Sequence, residues 1–330
     1  MEKQFIRNRF VKVGIVPTYK CPLHNLCDYC YALEQSKNYN DMDPDLLQKI
    51  LSWLSELKTP IDLKILGGEP TSYPYFSKFL QLLDLSPQLH PFIYTNGLFT
   101  RKICDIMSKS EKISEVTFHY EPAIIKKNKF YKKFFRNVDT LFDSGKQITF
   151  RYNAVDFSFD YSPLINLAIK YNAKIIYSFS APSATNKQSV SLFSYRDFLP
   201  QLEKFINNAI NNEIYIKSSR PFPACIFPKE KKRFFLEKGN IPLQCTPYPS
   251  INPDGSLLMC SVLLKYKTEP ILTKERFYST IERVMNIAEE VKCNIPTEKE
   301  CEKCQLFISK ECQGGCLAYK EEKVDVDNLM

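Results

Sequence analysis

Apolar positions along the first two thirds of the chain switch repeatedly between a period of two and a period near 3.6. Short β-patterned runs fall at 10–18, 62–66, 91–95, 116–119, 148–155 and 173–179. Helical spacing separates them. Asp43-Pro44 supplies an N-cap and a first-turn proline for a helix whose stripe is Leu46, Leu47, Ile50, Leu51 and Leu54. Phe76, Phe79, Leu80, Leu82 and Leu83 mark the next helix, and 100–109 a third. Residues 129–143 form a fourth, with Phe134, Phe135, Val138, Leu141 and Phe142 on its apolar side and Gly145 closing it; 161–171 and about 195–211 are also helical. Six β-α repeats predict an α/β protein with a parallel sheet and outer helices.

Beyond 211 the pattern breaks. Pro221, Pro223, Pro228, Pro242, Pro247, Pro249 and Pro253 interrupt regular structure, and eight of the twelve cysteines lie between 225 and 316. This shift predicts two domains, 1–217 and 218–330, the second a small Cys-rich α+β unit. Residues 181–194 lack a regular pattern and read as a loop over the mouth of the first domain.

No run of about eighteen apolar residues is present, and Met1-Glu2-Lys3-Gln4 opens no secretory segment, so a soluble cytoplasmic protein without membrane contact is expected. Twelve cysteines in such a chain argue for metal rather than disulfides. The formal charge of +8 is modest for 330 residues. Its densest runs, 126–133 and 229–233, read as solvated faces, and no nucleic-acid-binding motif accompanies them. Of the nine glycines, Gly67, Gly68, Gly97, Gly255, Gly314 and Gly315 sit inside the motifs that carry the chemistry.

Those motifs begin with Cys21-x5-Cys27-x2-Cys30, directly after the first strand. Three thiols leave a fourth position open, whereas structural zinc and iron-sulfur cubanes normally take four protein ligands. His24 is a fourth-ligand option, and a zinc knuckle is the plainer reading of the Cys-x2-Cys half. Gly67-Gly68-Glu69-Pro70 ends the second strand and Tyr94-Thr95-Asn96-Gly97 the third.

In this order the three motifs resemble the radical S-adenosylmethionine (SAM) enzymes, although the usual first spacing is Cys-x3-Cys rather than Cys-x5-Cys. The resemblance implies a partial (β/α)6 TIM-like barrel with its chemistry at the C-terminal strand ends. It also implies a [4Fe-4S] cluster on Cys21, Cys27 and Cys30 that binds SAM at its open iron. Gly67, Gly68 and Glu69 would meet the SAM amino group, Arg151 its carboxylate and Tyr29 its adenine, with Thr95 and Asn96 hydrogen-bonding nearby. His119-Tyr120-Glu121 stands where relatives often carry a small polar residue for the ribose.

The second cysteine field resembles the SPASM extension of that family. Cys245-x9-Gly255-x4-Cys260 fits its first half, and Cys301-x2-Cys304-x7-Cys312-x3-Cys316 fits the second with two extra residues. The resemblance assigns one auxiliary cluster to Cys225, Cys245, Cys260 and Cys316. A second would take Cys301, Cys304 and Cys312, with Cys293, Asp325 or Asp327 as candidates for its missing ligand. A pair of zinc sites, or a degenerate second site, is the alternative. Cys104 reads as an ordinary buried thiol.

The implied activity is reductive cleavage of SAM to a 5′-deoxyadenosyl radical that abstracts a hydrogen atom, with flavodoxin or ferredoxin as electron donor. Peptide or protein modification by oxidation, thioether or carbon-carbon crosslinking is the first expectation. A small-molecule dehydrogenase or epimerase is the second, and a metal-binding protein without turnover the third. Ser261 follows the Gly-x4-Cys motif where sulfatase maturases carry a basic Asp, which argues against that activity. With 20 residues before Cys21, no separate leader-recognition domain is expected ahead of it.

Overall fold

The computed structural model describes residues 12–323, apart from 24, 25, 28, 58, 126, 155–159, 183–190, 193, 261, 262, 264 and 265, and the side chains of 34, 123, 124, 128, 321 and 322. His24, Ser261, Asp325, Asp327 and most of the expected 181–194 loop therefore lie outside the described residues. The chain divides into two compact units, one of residues 1–148 and 248–285, the other of 149–247 and 286–330.

In the first unit, strands β1 (Lys12–Ile15), β2 (Ile61–Ile65), β3 (Leu89–Thr95) and β4 (Glu115–His119) are parallel neighbours in the order β4-β3-β2-β1. Their registers pair Val13 with Leu63, Ile61 with Leu89 and Ile93 with Val116. Helices α1 (Ala32–Asn38), α2 (Pro44–Ser55), α3 (Phe76–Asp84), α4 (Arg101–Lys109), α5 (Pro122–Ile125) and α6 (Asn128–Asp143) alternate with them. The predicted cap forms: Asp43 accepts from the backbone N–H groups of Asp45 and Leu46, and Leu47, Ile50, Leu51 and Leu54 of α2 are buried. On α6, Phe134, Val138 and Leu141 are buried, but Phe142, expected on the same side, is 38% exposed.

Two short strands, not anticipated from the proline-rich sequence, extend this sheet. β8 (Ser250–Ile251) pairs parallel to β1, and β9 (Leu257–Leu258) pairs antiparallel to β8. Prolines flank β8 instead of occupying it, which leaves its backbone N–H groups free for the ladder.

In the second unit β5 (Gln147–Ala154), β6 (Lys174–Phe179) and β7 (Ile216–Ser218) run parallel, with α7 (Ser162–Lys170) and α8 (Tyr195–Asn211) in the connections. Phe179, Tyr195, Phe198 and Phe222 form a ring cluster, with centroids 4.6 to 5.2 Å apart where Phe179 meets the other three. α9 (Lys232–Lys238), α10 (Lys274–Asn294) and α11 (Gln305–Ile308) complete the helices in chain order. The stripe Phe277, Ile281, Val284, Ala288 and Val291 on α10 has helical spacing and is buried throughout, so this element was readable although it lay outside the expected list. The expected α/β class with parallel strands is what both units show. Among the described residues no helix is long and apolar enough to cross a membrane.

Asn137 of α6 is fully buried and donates to the carbonyls of Gly97 and Phe99 at 2.8 and 2.9 Å, which ties the loop after β3 to a helix. Replacing it with Ala strands two buried acceptors and is expected to cost about 2 kcal/mol or more. Asp43→Ala, which removes a half-exposed cap, should cost about 1 kcal/mol. Urea unfolding of the two variants tests the ranking, and an Asp43 loss equal to the Asn137 loss would contradict it.

Candidate active site and cysteine clusters

The loops after β1, β2, β3 and β4 leave neighbouring parallel strands at the same edge of the sheet. The Cys21, Cys27 and Cys30 loop, Gly67-Gly68-Glu69-Pro70, Thr95-Asn96-Gly97 and His119-Tyr120-Glu121 are thereby placed side by side. Backbone contact joins the first two. Leu66, Gly68 and Glu69 donate N–H groups to the carbonyls of Ile15, Thr18 and Lys20 at 3.0, 3.1 and 2.8 Å. The approach is so close that a Cβ on Gly68 would sit 2.2 Å from the Tyr19 carbonyl oxygen, and one on Gly67 2.3 Å from that of Thr18. Gly67 also holds φ at 141°, which other residues rarely adopt. The paired glycines are thus required by the base of the cysteine loop, whatever else their carbonyls bind.

Glu69, 1% exposed, ties the second loop to the third. Its Oε1 accepts from Thr71 Oγ1 at 2.7 Å, Thr95 Oγ1 at 2.8 Å and the Thr71 N–H at 3.2 Å; its Oε2 accepts from the Asn96 N–H at 2.7 Å. Burial pushes its carboxyl up from the usual range, and these donors pull it back in part. The carboxylate expected to face an ammonium group is therefore engaged by Thr71, Thr95 and Asn96. Asn96 reaches further, with its Nδ2 at 3.7 Å from Cys21 Sγ, which also receives the Leu23 N–H at 3.4 Å.

The three thiols are half-buried and free of disulfides. Burial raises Cys21 to about 12, with lesser contributions from Glu69 and Cys30, and burial likewise raises Cys30. Cys30 packs against a small core of Val16, Tyr19, Ala32 and Leu66. Tyr19 is anchored in turn through its hydroxyl to the buried Asn252 at 2.7 Å, in the turn between β8 and β9. Among the described residues no three His, Cys, Asp or Glu side chains gather closely enough for a single metal ion. A four-iron cluster spreads its thiolates over a wider shell, and three soft thiols in one loop, with the Leu23 N–H aimed at the Cys21 sulfur, suit it.

Tyr29, expected against adenine, has its hydroxyl 2.6 Å from both His119 Nε2 and Glu121 Oε2. With one hydrogen to give, the phenol donates to the carboxylate and accepts from the His119 Nε2–H. His119-Tyr120-Glu121 therefore ties the end of β4 to the cysteine loop.

Arg151 lies in the second unit, where its guanidinium donates to Ser219 Oγ at 3.3 Å. Cys260 belongs to the first unit, and Cys225, Cys245, Cys293, Cys301, Cys304, Cys312 and Cys316 to the second. Cys312 Sγ receives backbone N–H groups from Ala224 at 3.4 Å and Gly314 at 3.3 Å. Cys245 is bracketed by Gln313, whose Oε1 accepts its N–H at 2.6 Å while Nε2 donates to its sulfur at 3.4 Å. Cys316 lies beside the Tyr195 and Tyr319 phenols, which stand 3.1 Å apart. Cys104 is 2% exposed and has its sulfur against the Asn137 carbonyl, as expected of a buried thiol.

Sequence reading missed Lys320. Fully buried, it donates to the carbonyls of Val291 and Lys292 at 3.1 and 2.9 Å in the last turn of α10. Burial lowers it to about 8, opposed by the nearby thiols of Cys245, Cys301, Cys293 and Cys312. A lysine four residues after the last cysteine was the one available signal.

Residues 15–156 match the family model described as Radical SAM superfamily. No curated protein matches the chain. Among solved structures, Streptococcus suis SuiB bound to S-adenosylmethionine is similar at a TM-score of 0.66 and 15% identity, over 96% of this chain and 76% of that one. SuiB bound to precursor peptide SuiA gives 0.67 and 16%, over 96% and 74%. Native anSMEcpe with bound AdoMet and Cp18Cys peptide gives 0.61 and 19%, over 93% and 88%. At these identities the likeness is one of fold.

Glu69→Gln keeps the shape but turns an NH2 group toward a hydrogen-bond donor. It is expected to lower stability by about 1.5 to 3 kcal/mol. Urea unfolding of the metal-free chain checks this, and a neutral result would mean the Thr71, Thr95 and Asn96 contacts do not hold the loops.

Proposed function

We propose that this chain is a radical SAM enzyme that modifies a peptide or protein in the cytoplasm, by oxidation or by forming a thioether or carbon-carbon crosslink. The observation that carries the reading is the convergence of the Cys21, Cys27 and Cys30 loop, Gly67-Gly68-Glu69 and Thr95-Asn96 at one edge of four parallel strands, inside the segment that matches the family model. Support for a peptide substrate comes from SuiB and anSMEcpe, whose folds are similar and which have been solved with bound peptides.

In this reading Cys21, Cys27 and Cys30 hold three irons of a four-iron cluster. A four-iron cluster held there, together with SAM and one electron from a flavodoxin or ferredoxin, would supply the radical chemistry that abstracts a hydrogen atom from the substrate. The residues position and shield. The Gly67-Gly68 backbone and Glu69 keep the cysteine loop and the Thr95-Asn96 loop at a set spacing, leaving backbone carbonyls for the SAM amino group. Asn96 orients Cys21, and Tyr29, held by His119 and Glu121, lines the adenine side. Domains 1–217 and 218–330 then divide the work between hydrogen abstraction and auxiliary clusters on the C-terminal cysteines.

The test begins with iron and acid-labile sulfide per chain in anaerobic protein. About twelve irons falling to about eight in a Cys21→Ala, Cys27→Ala, Cys30→Ala variant is expected for three four-iron clusters, and about eight falling to about four for two. Wild type with dithionite and SAM should release 5′-deoxyadenosine, while the triple variant should release none. Zinc without sulfide overturns the reading. A product of changed mass from a peptide encoded beside the gene selects peptide over small-molecule chemistry.

A further inference from the structure

The resemblance pairs Cys225 with Cys245, Cys260 and Cys316, and leaves Cys301, Cys304 and Cys312 one ligand short. The second unit groups these thiols differently. Cys225 sits on a tight turn, Ala224–Ile226, whose first N–H is aimed at Cys312 Sγ at 3.4 Å. Arg196 holds the turn through the Cys225 carbonyl at 3.2 Å. Cys312 Sγ takes a second N–H from Gly314 at 3.3 Å, and a Cβ placed on Gly314 would come within 3.5 Å of Cys301 Sγ. Cys304 follows Cys301 around a closed turn, its N–H donating to the Cys301 carbonyl at 3.1 Å. Cys316 lies beside the Tyr195 and Tyr319 pair.

A further observation marks this cluster of sulfurs as a ligand site. The Thr297 hydroxyl, 1% exposed, has no hydrogen-bond partner among the described residues and lies 2.6 Å from the position of that same Gly314 Cβ, beside Cys301. A buried hydroxyl without a partner costs free energy unless something polar arrives, and sulfide or thiolate would accept its hydrogen.

We propose that Cys225 is the fourth thiolate of the set Cys301, Cys304 and Cys312, which together hold one auxiliary four-iron cluster. Each thiol gives up its proton to solvent as iron takes its sulfur. A full thiolate shell leaves no exchangeable iron, so this cluster carries electrons and does not bind substrate. The backbone N–H groups on Cys312 and the Thr297 hydroxyl are then the hydrogen bonds that set its potential. The inference rests on the auxiliary-cluster reading above.

The experiment is anaerobic labelling of the full, cluster-loaded chain with iodoacetamide, read by peptide mass spectrometry with iron counted in each sample. In wild type Cys225 should be protected. In Cys301→Ser/Cys304→Ser it should label at least tenfold faster, with about four irons lost; in Cys316→Ser it should stay protected. The reciprocal Cys225→Ser variant, altered at an exposed residue, should deprotect Cys301, Cys304 and Cys312 and leave Cys316 covered. Deprotection of Cys225 by Cys316→Ser alone overturns the assignment. So does a wild-type chain in which Cys225 labels freely while Cys293 is protected, which makes Cys293 the fourth ligand. A wild-type chain with about four irons in total removes the auxiliary reading itself, a result separate from any labelling pattern.

Discussion

The Glu69 carboxyl has almost no exposed surface, and the spacing of the loops around it follows from how it is satisfied. A charge taken out of water is tolerated only where hydrogen bonds replace its hydration. Here the donors are Thr71, Thr95 and Asn96, drawn from its own loop and from the loop after β3. Just before it, Gly67 and Gly68 lie against the backbone of residues 18–20. One carboxylate and two missing side chains therefore hold three loops at a common spacing. Tyr29 adds the fourth through His119 and Glu121.

Support for the cysteine loop also comes from far along the chain. β8 extends the sheet beside β1, and Asn252 in the following turn accepts the Tyr19 hydroxyl. Asn252 is itself held by donating to Ser256 Oγ at 2.9 Å, so a polar network 233 residues distant in sequence buttresses the loop base. Buried networks of this kind are stable only when every member is paired.

The second unit solves a related problem with sulfur. Sulfur is a weaker acceptor than a carboxylate, and the chain surrounds the Cys245 and Cys312 sulfurs with backbone N–H donors and the Gln313 amide. Lys320 closes the last carbonyls of α10, where a cation is favoured by the helix dipole. Its burial is compatible with charge because the sulfurs nearby favour the protonated form.

The strands and helices through residue 211 were legible because their signals are local: a period of two or 3.6, an Asp-Pro cap and a closing glycine are read within a few residues. The positions of the Cys21, Gly67 and Thr95 motifs at strand ends followed from the same periodicity, since parallel strands present their C-terminal ends together. Other features needed the tertiary structure. That Glu69 turns inward, that Tyr29 joins His119 and Glu121, that β8 pairs with β1, and that the turn bearing Cys225 lies against Cys312 are all matters of which distant segments meet. Ligand spacing along a chain names the thiols but not their partners, because a cluster is assembled from turns whose mutual approach is decided by the packing between them.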